Sequence, residues 1–128
     1  MKYRVCELNG ALLDQAVAKS LGLMYDKAID VHVEYPLNWE GSPRYFSRCS
    51  AVIDGQIRQF SPSSSWGDGG PIIEQERITI GPAPKINHPH PFAAHATGDN
   101  QWPSFGDSPL IAAMRALVIS RCGEDVVL

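Results

Sequence analysis

The sequence is poor in cysteine, carries no recognisable catalytic motif and has no long apolar run. Cys6, Cys49 and Cys122 are odd in number, far apart and without a CxxC pair. That excludes a disulfide framework or a zinc-finger spacing and reads as reduced thiols behaving as small hydrophobes. No stretch approaches the roughly 20 apolar residues that span a bilayer, and the opening MKYRVCELNG lacks the apolar core of a signal peptide. The expected location is therefore the cytoplasm, with no membrane partner. Basic residues are also short: 11 Lys and Arg stand against 14 Asp and Glu, a net charge of −3. A protein that neutralises nucleic-acid phosphates usually shows a basic face. Nucleic acid is thus disfavoured as a partner, even though Arg44, Arg48 and Arg58 lie close in sequence.

Local chemical signatures are equally scarce. The chain contains no GxGxxG, GxxxxGKS/T, HExxH or nucleophile elbow, the patterns that cradle phosphates, hold zinc or expose a catalytic serine. No cofactor is called for, and the reading favours a protein without catalysis.

What the chain does have is enough apolar matter for one domain: 128 residues, 44% of them hydrophobic. Asn9 is a good N-cap, and Leu13, Ala16, Val17, Ser20 and Leu21 follow at helical spacing, with Gly22 as the stop. Asp14 and Lys19 fall off that stripe. Ala28 to Tyr35 alternates as a half-buried strand, with His32 on its polar face, and Pro36 ends it. Residues 37 to 43 form a loop. Arg44 to Phe60 reads as a hairpin about Asp54-Gly55, pairing Val52 with Ile57 and Ile53 with Gln56. Pro71 opens a short helix with Glu74 and Glu76 near its start, and Ile78 to Ile80 is a short strand. Residues 81 to 107 lack periodicity and read as a long irregular loop rich in Pro and His.

The last helix has the fullest set of signals. Ser108 is its cap and Pro109 its first residue. Leu110, Ala113, Met114, Leu117 and Val118 form an amphipathic stripe, Arg121 suits the C-terminal dipole, and Gly123 is the stop. The tail EDVVL either adds an edge strand or frays. Strands in the middle and helices at the ends predict an α+β fold, with a central small antiparallel sheet and both terminal helices packed on one face.

Three constellations carry potential chemistry. In Ser61 to Pro71, Ser63, Asp68, Gly69 and Gly70 surround Trp66, and a helix N-terminus there would suit an anion. The alternative is a structural turn with Trp66 plugged into the core. His88, His90 and His95, with Asp99 and Asp107 nearby, form an H-x-H-bearing loop; no metal is expected there beyond adventitious affinity. At the start of the last helix, Asp107 and Ser108 serve first as caps. Arg115 lies off the apolar stripe, where it pairs with Glu74 or Glu76 or meets a ligand's negative group. The candidate ligand residues are therefore Ser63, Trp66, Asp68, Gly69, Gly70, Trp102, Asp107, Ser108 and Arg115.

Three segments, ELNGALLDQAVAKSLG (7–22), FSPSSSWGDGGPIIEQERI (60–78) and GDSPLIAAMRALVISRCGEDV (106–126), in this order resemble the phage NinX-like proteins, small accessory proteins of lambda-type phages and prophages. The resemblance implies expression inside a bacterial host cell. It brings no reaction, cofactor or catalytic residue with it. Two function classes then compete. One is a binding protein for a small anionic or nucleotide-like ligand. The other is an interaction module or homo-oligomer acting on a host or phage protein. A metal-assisted hydrolase built on the histidine loop ranks last.

Overall fold

The computed structural model describes residues 1–33, 44–83, 89–96 and 103–128. In chain order these form β1 (Lys2–Arg4), a 3-10 turn (Val5–Glu7), α1 (Gly10–Ser20), β2 (Tyr25–Val33), β3 (Arg44–Ile53) and β4 (Gln56–Gln59). Then follow α2 (Trp66–Glu76), β5 (Thr79–Pro82), β6 (Phe92–His95), β7 (Ser104–Gly106), α3 (Pro109–Cys122) and β8 (Asp125–Val127). The class is α+β, as the sequence predicts. The described strands do not share one sheet, however: β1–β8, β2–β3–β4 and β5–β6–β7 are separate antiparallel sheets.

The hairpin forms in the expected register, Val52 opposite Ile57 and Ile53 opposite Gln56. Its turn works because Asp54 and Gly55 both take left-handed backbone, φ 53° and 80°, as a two-residue turn matched to strand twist requires. Strand β2 begins at Tyr25, earlier than expected. The expected end at Tyr35 and the 37–43 loop fall outside the described residues, as do the side chains of the alternating segment that includes His32. The tail pairs rather than frays: Val126 sits opposite Tyr3 in the β1–β8 ladder and is 3% exposed.

The 81–107 segment is not one long loop. It contributes β6 and β7, and β6 is the central strand of its sheet. Alanine is a weak strand former, and FAAH shows no alternation, because Ala93 and Ala94 are both buried. That sheet packs on α3, whose facing run is itself rich in alanine, so small side chains on both sides let the layers approach.

Helix α3 keeps its expected limits. Ser108 Oγ accepts the Ile111 N–H at 3.1 Å, and the Gly123 N–H closes on the Ile119 carbonyl at 2.9 Å. It is not amphipathic, though. Leu110 and every residue from Ala112 to Val118 are buried, because α1, α2, the β5–β6–β7 sheet, β8 and the 3-10 turn all touch it. Leu13 and Val17 of α1 meet Met114, Leu117 and Val118 of α3 and Val5 in the best-buried part of the core. Each such side chain contributes about 1.5–3 kcal/mol by leaving water. Helix α1 in turn lies against β2 and β3.

Helix α2 begins at Trp66, five residues ahead of the start that Pro71 suggests. Pro71 lies inside it and forgoes one backbone hydrogen bond. The true start is set by Ser65, extended, whose carbonyl accepts the Gly69 N–H at 2.8 Å. Asp68 then sits in the first turn, where its charge suits the dipole. Glu74 and Glu76 fall in the last turn instead. Arg121 offsets that placement by donating to both carboxylate oxygens of Glu76 at 2.7 and 2.8 Å.

Candidate functional site

The serine-rich turn before α2 is organised by two carboxylates. Ser64 and Ser65 donate to the Ser61 carbonyl at 3.1 and 2.8 Å, closing the turn. Asp68 accepts the Ser61 N–H at 2.9 Å and Arg58 Nη1 at 2.7 Å. Asp14, reaching across from α1, accepts the Ser63 N–H at 2.8 Å, while Ser63 Oγ lies 3.4 Å from the Gly10 carbonyl. Amides that would otherwise suit an anion are thus taken by the chain's own acids, and Arg58 is committed to Asp68. Asp14 falls off the apolar stripe, as read from sequence, yet it is 4% exposed because the turn covers it. Burial pushes its carboxyl up from 3.8 to about 6. The Ser63 hydrogen bonds oppose that shift and the charge of Asp68 adds to it.

Gly69 locks this turn to α3. A Cβ there would lie 2.5 Å from the Pro62 carbonyl oxygen and 2.6 Å from Leu110 Cδ2, both well inside contact distance. Gly69→Ala is expected to destabilise by about 1–3 kcal/mol through overpacking. Gly70→Ala, whose Cβ would meet nothing within 4 Å, is expected to stabilise by about 0.5–1 kcal/mol as a helix-interior glycine replaced by alanine. Denaturant midpoints of the two variants should move in opposite directions.

The structure therefore gathers Ser63, Asp68 and Gly69 at one seam. Trp66 at the start of α2 is 58% exposed, so it is not plugged into the core. Ser108 acts as the cap of α3. Asp107 pairs with His90, Oδ1 to Nδ1 at 2.7 Å. Trp102, His88 and Asp99 lie outside the described residues. His95 is exposed at the end of β6. Among the described residues no three His, Cys, Asp or Glu side chains come together as a metal-ligand set.

Arg115 departs most from expectation. It pairs with neither Glu74 nor Glu76. At 5% exposed it is buried, with Nε donating to the Leu8 carbonyl at 2.9 Å and Nη1 to the Phe105 carbonyl at 2.8 Å. Its burial follows from the enclosure of α3 on all sides. Burial lowers the guanidinium pKa, and the nearby Asp107 and Cys6 act in the opposite direction. The two carbonyls use Nε and Nη1 and leave Nη2 with no hydrogen-bond acceptor among the described residues.

Arg115 also lines a cavity of about 250 Å³. Cys6, His90 and Ser104 supply its other polar atoms, and Pro103, Phe105 and Ile119 its apolar wall. None of the 61–71 turn reaches it. Sequence reading missed Cys6 and His90 as neighbours of Arg115, because they come from three distant segments. The available signal was the lone cation inside the apolar run AAMRALV. A second depression, about 160 Å³, lies on the hairpin sheet beside Met24 and Ile57, each 75% exposed.

Compared with known families, the chain is matched over residues 4–121 by the family model described as Bacteriophage P22, NinX. The match extends through the strand region and the Pro/His segment that the three resembling stretches leave out. No curated protein matches the chain.

Proposed function

Because the chain belongs to the phage P22 NinX family, a family of phage accessory proteins, we propose that it works in the cytoplasm of the bacterial host as a binding protein for a small anionic or nucleotide-like molecule. The seat of that molecule is the Arg115 cavity. Of the residues read from the sequence as ligand residues, Arg115 lines this cavity and Asp107 pairs with His90 in its wall, while Ser108 caps α3. Ser63, Asp68 and Gly69 lie at the separate seam where the serine turn meets Leu110 at the start of α3, while Trp66, Gly70 and Trp102 stay in the ligand set on the sequence reading alone. The observation that carries this reading is a buried guanidinium that lines a mostly apolar cavity and keeps one nitrogen without a hydrogen-bond acceptor among the described residues. A site of that make-up suits an organic anion, with the charge met by a fork of N–H donors and the body by the apolar wall. In keeping with this, no described helix is long and apolar enough to cross a membrane.

Thermal shift with a panel of nucleotides, sugar phosphates and aromatic carboxylates tests the reading, beside mass spectrometry of molecules released from the purified protein. At 100 Kd of a true ligand the stability gain is about 2.7 kcal/mol, a shift easily seen in a domain of this size. No shift from any anion, together with no released molecule, would sink the idea. A second reading, docking to a host or phage protein or to another copy, is supported by the exposed Met24 and Ile57 beside their depression. Concentration-independent monomer mass and an unchanged interaction profile for Met24→Ser/Ile57→Ser would remove it.

A further inference from the structure

The Arg115 cavity contains a nucleophile that the binding function does not require. Cys6, on the 3-10 turn, is exposed and shares the cavity with Arg115 and His90. The other two thiols differ from it. Cys49 is fully buried, and Cys122 is exposed beside Ser20 Oγ at 3.4 Å, away from any described cavity. His90 is held by Asp107, so its ring has a set orientation in the wall.

We propose that Cys6 is a modification site for small anionic disulfides, which the Arg115 guanidinium and the His90 imidazole draw into the cavity. The proposal rests on the reading of this cavity as an anion seat. The step is a thiol–disulfide exchange and needs no further oxidant. The Cys6 thiolate attacks one sulfur of the disulfide, a new Cys6–sulfur bond forms, and the old S–S bond breaks. The second half leaves as a thiolate and takes up the proton that Cys6 released. Anionic groups on the reagent meet Arg115, while an aromatic body lies on Pro103, Phe105 and Ile119. Attraction by the fixed Arg115 cation raises the local concentration of an anionic reagent, and the gain falls as salt rises.

The whole chain is treated with dithiobis(nitrobenzoate), an anionic aromatic disulfide, and with dithiodipyridine, a neutral one. Peptide masses report the rate at Cys6 and at Cys122 separately. The ratio of anionic to neutral rates is expected to be at least about tenfold higher at Cys6 than at Cys122, and to shrink in high salt. His90→Asn should reduce the ratio at Cys6 and leave it unchanged at Cys122, and Cys6→Ser should abolish the fast phase. Nitrobenzoate, which carries the same charge but no reactive sulfur, separates the two ideas. If it neither raises the melting temperature nor slows labelling of Cys6, the anion seat fails and the proposal with it. If it does both, yet the rate ratio is the same at the two thiols, the seat stands and the proposal is overturned. Equal ratios, or a fast phase that survives in Cys6→Ser, also overturn it.

Discussion

Replacing Arg115 by methionine is expected to cost about 3 kcal/mol of folding stability, read from denaturant midpoints. The side chain is 5% exposed and bridges the Leu8 and Phe105 carbonyls. Those carbonyls belong to segments that helix, hairpin and turn separate in sequence, so the guanidinium ties the approach to α1 to strand β7. Hydrogen bonds from a charged donor are worth about 1.5–3 kcal/mol each, and a buried acceptor left without a donor costs about 1–3 kcal/mol. Methionine keeps most of the volume and removes the desolvated charge, which offsets part of the loss. Arg115→Lys should fall between the two, since one ammonium cannot reproduce the fork that spans both carbonyls. The magnitude discriminates between two pictures of this residue. An exposed pair with Glu74 or Glu76, the arrangement its position off the stripe suggests, would be worth only about 0–1 kcal/mol. A loss below about 1 kcal/mol for Arg115→Met would therefore contradict the buried bridge.

The same residue marks where sequence reading runs out. Local rules hold wherever one short segment decides the outcome. Ser108 caps α3, Gly123 ends it, and Asp54-Gly55 sets the hairpin register, because each depends on a few neighbouring backbone groups. They fail where tertiary enclosure decides. Helix α3 shows a stripe in sequence, but contact from all sides buries its whole middle and takes Arg115 inside with it. Strand β6 shows no strand pattern because its neighbours, not its own alternation, bury Ala93 and Ala94. Pro71 marks a helix start by preference, yet the hydrogen bonds of Ser61 and Ser65 set the start at Trp66. The candidate site divides in the same way. Ser63, Asp68 and Gly69 come together at one seam because they are close in the chain. The cavity of Cys6, His90 and Arg115 joins three distant segments and has no local spacing to announce it.

Asp14→Asn is expected to change the pH dependence of stability by about 2–3 kcal/mol between pH 4 and pH 7. Asp14 titrates near 3.8 when unfolded and near 6 in the folded chain, chiefly because the turn at Ser63 buries it. A carboxyl with the higher pKa in the native state holds its proton more tightly there, so protonation favours folding. The stability that neutral Asp14 contributes is full below about pH 4 and is lost as pH rises through 6. Above that, the chain carries the cost of a buried, ionised carboxylate. Asparagine keeps an oxygen for the Ser63 N–H but never ionises. The variant should therefore gain steadily on the parent as pH rises from 4 to 7, and run parallel to it above. Asp68→Asn offers an internal check. The charge of Asp68 is the last of the four causes acting on Asp14, so most of the pH difference should survive in that background. Denaturation curves collected at half-unit steps of pH decide the matter. Parallel curves for parent and Asp14→Asn across this range would mean that Asp14 ionises as freely in the folded chain as in water, which its burial beneath the serine turn forbids.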